Sequence, residues 1–307
     1  MQNTIEFFFF RILLLLIRSF SFNSVQKLGD AFGIFIYSVI GLRKGLVLSN
    51  LRHAFPEKTE EEIRSIAKGS YRNLFTAYFE ILYLDRLSAD DLKRMISFPD
   101  IRKISDALKK NKGLILLSGH YGNWELLALS VPVLSGNYYT MVVQKQRNPH
   151  IDRYMTAMRT RLGNQVVVME RAFRELLRTL SNNGTVALLA DQSGPESGIY
   201  TEFFGRMTST HQGPAVLQVR TGAPMIIGLL VREGPGKFRV ELEEIDTTGL
   251  TGTNEEKMQQ ISQRHVSVLE KHIRRHPEHW LWMHKRWKHT ESYMKKQAAA
   301  AAKDIDQ

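Results

Sequence analysis

An imidazole and a carboxylate stand five residues apart at His120 and Glu125, in the stretch Ser-Gly-His-Tyr-Gly-Asn-Trp-Glu at 118–125. On a continuous helix that spacing sets two side chains about 140° apart around the axis, so they meet only if the chain turns between them. Gly122 and Asn123 allow such a turn: both tolerate left-handed backbone, and Asn123 can cap a helix opening at Trp124. Glu125 then falls in the first helical turn, within reach of the ring. A carboxylate bonded to one ring nitrogen fixes the tautomer and makes the other nitrogen a better base. Taking a proton from an alcohol that attacks a thioester requires such a base. The helix N-terminus beside it can support a developing oxyanion or a phosphate. A His and a Glu in a polar loop also form ordinary satisfied pairs, and spacing alone does not separate the two readings.

The elements around this stretch must place it where chemistry happens. From residue 113 onward, short apolar runs alternate with helical patterns. Strands are expected at 113–118, 138–143, 166–169 and 185–190, with helices at 124–134, 150–162 and 171–182. Strands of four to six residues alternating with helices of about ten predict βαβ crossovers and a largely parallel sheet covered on both faces. After Pro224, Met225 to Val231 and Lys237 to Glu243 flank Gly234-Pro-Gly236 and read as an added antiparallel hairpin arm. The fold class is α/β, a mostly parallel central sheet flanked by helices. His120 follows the first of these strands, at the carboxyl end where ligands of open α/β sheets gather. Upstream, Thr59 with Glu61 and Glu62 caps a helix over 59–84 whose apolar face includes Ile63, Ile66, Tyr71, Leu74 and Tyr78.

Other polar residues fall at the same edge. Gln144, Lys145 and Arg147 follow the 138–143 strand and suit a lipid phosphate or sugar as well as they suit a solvated loop. Asp191 and Gln192 end the 185–190 strand, placed either to orient a substrate and hold the His120 loop or to serve as plain turn residues.

The chain has no cysteine, so disulfides, thiolate zinc sites and a cysteine nucleophile are excluded. Lys and Arg exceed Asp and Glu by 11, an excess that attracts nucleic acid, anionic lipid or an acidic protein. The N-terminus narrows the choice. Phe7-Phe-Phe-Phe-Arg-Ile-Leu-Leu-Leu-Leu-Ile17 is too apolar to face water, and no small-residue cleavage site follows it, so residues 1–45 are expected to form an uncleaved membrane anchor and amphipathic segment. Ile5 to Phe22 falls short of the roughly 20 apolar residues of a span and carries Arg11 and Arg18, leaving a short span and an in-plane helix both open. A second apolar run, Ala31 to Leu42, is either a surface-lying helix or core.

Residues 271–288 hold six Lys or Arg, four of the ten histidines and three of the four tryptophans. With an apolar N-terminus in the same chain, this reads as a membrane-interface surface rather than a nucleic-acid site. His276, His279 and His284 have no carboxylate or thiolate in a known ligand spacing, so no metal site is expected.

Four ordered blocks resemble the lipid A biosynthesis lauroyl/myristoyl acyltransferases of the glycerolipid acyltransferase superfamily. They are Asn50-Leu-Arg-His-Ala-Phe-Pro-Glu57, the His-x4-Glu block at 117–127, Ala190-Asp-Gln192 followed by Phe203-Phe-Gly-Arg206, and Pro277-Glu-His-Trp-Leu-Trp-Met-His-Lys-Arg-Trp-Lys288. The resemblance spans about residues 5–289 and implies a glycerolipid acyltransferase-like fold with an N-terminal membrane-anchor helix, an acyltransferase domain at 46–290 and a flexible or frayed-helical tail at 291–307. It implies transfer of a fatty acyl chain from acyl carrier protein, or from coenzyme A, to a hydroxyl of a lipid A precursor at the cytoplasmic face of the inner membrane, without an acyl-enzyme.

On this resemblance His120 is the general base and Glu125 its orienting partner. Gly122, Asn123, Gln144, Lys145, Arg147, Arg159, Asp191 and Gln192 are expected at the substrate, with no metal, no organic cofactor and no nucleic acid. Arg159 aligns with an arginine the family keeps before its glycine, here Gly163. The family often has a basic residue where Gln144 stands, so this chain departs there and Lys145 or Arg147 is expected to take over. Acylation of another glycolipid or aminolipid (a phosphatidylinositol mannoside, an ornithine or glycine lipid) and an inactive membrane-tethered basic binding protein are the alternatives.

Overall fold

The computed structural model describes residues 2–305. Its helices are α1 Gln2–Arg18, α2 Phe22–Phe35, α3 Lys44–Ala54, α4 Glu60–Ile81, α5 Ala89–Met95, α6 Arg102–Leu108, α7 Trp124–Ser135, α8 Pro149–Thr160, α9 Ala172–Ser181, α10 Gly213–Thr221, α11 Asn254–Arg275 and α12 Thr290–Ile305. Its strands are β1 Ile96–Ser97, β2 Leu114–Ser118, β3 Tyr139–Val143, β4 Gln165–Val168, β5 Thr185–Leu189, β6 Ile199–Phe203, β7 Arg206–Thr210, β8 Met225–Gly234 and β9 Lys237–Ile245.

Seven strands form one sheet in the order β1-β9-β8-β2-β5-β3-β4. The pairs β8-β2, β2-β5, β5-β3 and β3-β4 are parallel, and β9 returns antiparallel to β8 as the expected hairpin arm. Strand β2 alternates its burial between two cores, with Ile115 and Leu117 on one face and Leu114 and Leu116 on the other. That two-sided burial explains its unbroken apolar run. The hairpin β6-β7, absent from the sequence reading, interrupts the path from β5 to α10 and packs on α11 and the 277–288 block. Its polar-rich strands carry no strong period-2 signal.

Thr59 and Glu62 make a reciprocal capping box at the start of α4. Along α4 lies α2, so close that a Cβ on Gly29 would stand 2.7 Å from Thr76 Cα and one on Gly33 2.6 Å from the Tyr71 carbonyl oxygen. Small residues four apart let helix backbones touch. A five-residue π-helical segment, Ile36–Ile40, extends α2. The second apolar run therefore splits: Gly33, Ile36 and Tyr37 are buried while Phe32, Phe35, Val39, Ile40 and Leu42 stay exposed.

Among the described residues no single helix is long and apolar enough to cross a membrane. One bent pair, Phe22–Ile40 with Lys44–Ala54 at 100°, passes by length and composition. At the other end, α12 is tied down by Tyr200 stacked on Tyr293 at 4.0 Å and by Lys296 paired with Glu196 at 2.8 Å. The alanine run gives its last turns high helix propensity. Of the expected tail, residues 306 and 307 lie outside the described residues.

The membrane-interface reading of 271–288 does not survive for its tryptophans. Trp280 and Trp282 are 2% and 1% exposed. Phe203, Phe204 and Phe55 pack around them, and Trp287 stacks on Phe203. Aromatic rings of two distant blocks thus bury each other, a contact that one-dimensional spacing cannot show.

Candidate active site

Parallel register assembles the centre. Ser118 on β2 pairs with Leu189 on β5, and the ladder continues as the Ala190 N–H donates to the Ser118 carbonyl at 3.1 Å. One residue further, His120 and Asp191 meet. The Asp191 carboxylate accepts from His120 twice, from the backbone N–H at 2.8 Å and from Nδ1 at 2.9 Å. The Trp280 indole N–H donates to it as well, at 3.1 Å. Burial alone would raise the Asp191 pKa, but the pull of His120, its two hydrogen bonds and that of Trp280 hold it at about 2. An ionised Asp191 makes Nδ1 the protonated nitrogen and leaves Nε2 as the base. Burial disfavours the imidazolium, yet the charge and hydrogen bond of Asp191, with Glu125 behind, overcome it and raise the His120 pKa above 6.5.

The expected pairing of His120 with Glu125 is therefore corrected. Glu125 takes a bidentate grip from Arg159, with Nε at 2.9 Å and Nη2 at 2.5 Å, and both side chains are largely buried. The turn does bring Glu125 back toward the ring, but α8 presents a permanently charged guanidinium there, which outcompetes a neutral imidazole for the carboxylate. Arg159 is thereby engaged with Glu125 instead of standing free for a phosphate.

Gly122 and Asn123 shape the turn. Gly122 has φ of +55°, its N–H donates to the His279 carbonyl at 2.9 Å, and a Cβ there would lie 2.2 Å from the Leu230 carbonyl oxygen. Asn123 caps α7 by accepting from the Leu126 N–H at 2.9 Å and donates to Glu80 at 2.9 Å. Glu80 is fully buried and is held also by Gln26 at 2.6 Å and by both terminal nitrogens of Arg232. Both residues expected at the substrate thus shape the frame, and Asn123 is itself 1% exposed.

The carboxyl ends of β2, β3 and β5 open into a cavity of about 490 Å³, within the range that holds small-molecule ligands. His120, Trp124, Glu125, Gln144, Arg159 and Gln192 give it a polar rim, and Leu127, Val131, Met141, Leu176 and Leu217 are among its apolar walls. Trp124 meets the His120 ring edge-on at 4.9 Å, and Gln192 Nε2 lies 3.5 Å from each ring nitrogen. Gln144 and Gln192 thus both line the cavity. Lys145 is exposed on the same loop, while Arg147 turns away to pair with Glu6 of α1 at 2.5 Å.

Trp280 and His284 escaped the sequence reading as site residues. His284 Nε2 accepts from the Ser193 N–H at 3.0 Å and so braces the loop beyond Asp191; burial first, and Arg286, bring its pKa to about 4, which keeps it neutral. Nearby, Arg286 is 1% exposed and donates to Thr208 Oγ1, the Ser209 carbonyl and Thr210 Oγ1 at 3.0, 2.6 and 2.9 Å. Burial pulls its pKa to about 10 while Asp191 supports its charge. Membership of Trp280, His284 and Arg286 in the 277–288 block was the one available signal.

His276, Glu278 and His279 bring ligand atoms within 4.8 Å of one another. His279 Nε2, however, accepts from the Arg232 N–H at 3.1 Å, which puts its proton on Nδ1, 3.1 Å from Glu278 Oε1. A protonated nitrogen does not ligate a metal, so these groups read as a carboxylate close beside two imidazoles rather than as a ligand set.

The sequence profile of the family described as "Bacterial lipid A biosynthesis acyltransferase" matches residues 1–289. The chain is 25% identical over 238 residues to the phosphatidylinositol mannoside acyltransferase of Mycolicibacterium smegmatis, covering 76% of this chain and 74% of that one. It is 22% identical over 271 residues to the lipid A biosynthesis palmitoleoyltransferase of Escherichia coli K12, covering 85% and 84%. With the lipid A biosynthesis acyltransferase of Haemophilus influenzae it shares 21% over 272 residues, covering 88% and 83%.

Proposed function

Since the chain belongs to the bacterial lipid A biosynthesis acyltransferase family and is an acyltransferase of glycolipids, we propose that it moves a fatty acyl chain from an acyl carrier protein thioester to a hydroxyl of a lipid A precursor, at the cytoplasmic face of the inner membrane. His120 Nε2 takes the proton of the acceptor hydroxyl as its oxygen attacks the thioester carbonyl. The imidazolium, held by Asp191, returns that proton to the departing sulfur, so the ester and a free thiol leave together and no acyl-enzyme forms. The acyl chain lies among the apolar walls of the cavity, and Gln144, Gln192 and Lys145 face the headgroup. The net charge of +11 suits an acidic carrier protein. The reaction as written calls for neither metal nor organic cofactor.

The observation that carries this reading is the His120 ring fixed by a buried, ionised Asp191 at the mouth of an apolar cavity. A second acceptor has its own support: the mycobacterial relatives at 25–26% identity are phosphatidylinositol mannoside acyltransferases. The test offers the purified chain acyl carrier protein thioester with a lipid A precursor or with a phosphatidylinositol mannoside, read by mass spectrometry. Gain of one acyl mass on the lipid A precursor is expected. Gain on the mannoside alone transfers the assignment to the second acceptor, and no gain on either sinks both. Running the same assay with the coenzyme A thioester separates the donors.

A further inference from the structure

Helix α1 is apolar on two sides, and the domain covers one. Leu14 and Ile17 are buried, Phe7 stacks on His150 with ring centres 5.1 Å apart, and Phe10 meets Tyr154 at 5.2 Å. Polar ties hold the same side. Asn148 donates to the Asn3 carbonyl at 2.8 Å, Arg147 pairs with Glu6, and Arg18 pairs with Asp85. The helix is thus clamped along α8 near both of its ends. At about 1.5 Å per residue its 17 residues reach about 25 Å, short of a hydrocarbon core of about 30 Å.

The opposite side faces outward with Ile5, Phe8, Phe9, Ile12, Leu15 and Leu16, each between 38% and 64% exposed. Fourteen of the twenty large apolar side chains exposed among the described residues fall between Ile5 and Leu42, so the patch is local rather than a scatter. It reaches the catalytic cavity by two routes. The loop that holds the start of α1 through Arg147 and Asn148 also lines the cavity through Gln144 and Gln146. From α2, Phe32 touches Phe75, Phe75 touches Tyr78, and Tyr78 touches Trp124 at the His120 ring.

The charges of this region select its partner. Its two acidic residues are neutralised from within, Glu6 by Arg147 and Asp30 by Arg72. Arg11, Lys27 and Arg43 are exposed and, among the described residues, meet no carboxylate. A broad apolar face edged by unpaired cations fits anionic lipid, with the long basic side chains reaching up to the headgroups.

We propose that α1 lies in the plane of an anionic bilayer with its outer face in the acyl region, and that the cavity opens onto the lipid so that the acceptor enters sideways. Only the entry route rests on the acceptor assignment above. The attachment itself can be tested without any transfer assay. Because the chain has no cysteine, single Thr4→Cys and Ser19→Cys variants of the full chain report the two ends of α1. A membrane-impermeant maleimide applied to inverted and to right-side-out inner-membrane vesicles should label both positions from the same side. Labelling from opposite sides means a spanning helix and overturns the proposal.

A Phe9→Asp/Leu16→Asp variant, checked for an unchanged melting temperature, should bind vesicles of phosphatidylethanolamine with one-quarter phosphatidylglycerol at least about tenfold more weakly than the parent chain. Undiminished vesicle binding would overturn the proposal. So would a dimer of the parent chain that the same substitutions dissociate without affecting vesicle binding, since the face would then belong to a second copy.

Discussion

Asp191 and His120 stand at equal offsets on neighbouring parallel strands, each two residues beyond the register pair Leu189 and Ser118. Equal offset on parallel strands brings two side chains to the same level at the carboxyl edge. The ion pair at 2.9 Å is thus a product of strand register, and of the absence of any bulge between β2 and β5.

His120→Ala should retain the fold and lose about 10²–10⁴ in kcat, the usual weight of a positioned general base. Single-turnover transfer with circular dichroism as the control checks it; wild-type turnover in an intact fold would remove His120 from the chemistry.

Asp191→Asn should lower kcat by about 10²-fold or more, because the amide no longer enforces the Nδ1–H tautomer. It should also move the pH profile. The base acts when neutral, so kcat rises with pH through the His120 pKa, which Asp191 holds above 6.5. Without that charge burial dominates, and the acid limb shifts to lower pH. A limb that stays put while kcat falls would leave Asp191 a packing role only.

Glu125 and Arg159 should behave as a buried pair. Arg159→Met strands a largely buried carboxylate and should cost about 3–5 kcal/mol of stability. The double variant Glu125→Gln/Arg159→Met should recover part of it. Urea unfolding of the four proteins gives the coupling, and additive losses would mean that the two side chains do not act together.

Gly122→Ala should destabilise by at least about 2 kcal/mol and carry activity down with it, since a left-handed residue gains a Cβ pressed on the Leu230 carbonyl. Thermal unfolding decides; a change within about 0.5 kcal/mol would mean that the turn is free to relax.

The sheet could be read from the sequence because β2, β3, β5 and β8 are short apolar runs cut by helix caps and turn residues, all local signals. The His120 turn was legible for the same reason, since Gly122 and Asn123 act within a few residues. What stayed hidden was the choice of partner. Asp191 lies 71 residues from His120 and Arg159 lies 34 from Glu125, so each pairing depends on strand order and on where α8 ends. A carboxylate five residues away looked nearer than one brought alongside by the sheet. The tryptophans of the 277–288 block misled by composition, for Trp with Lys and Arg describes a membrane surface equally well until Phe203 and Phe204 are seen to enclose them.

Buried guanidinium groups answer the buried carboxylates around the imidazole. Arg159 balances Glu125, and Arg286, which pairs with no carboxylate among the described residues, stands within electrostatic reach of Asp191. With a neutral ring the interior of the site sums to zero. When the ring takes a proton, the tetrahedral oxyanion supplies the matching negative charge, and the sum is again zero. Transfer therefore displaces charge over a few ångströms inside the protein without importing any from water, and a low-dielectric interior penalises that displacement least.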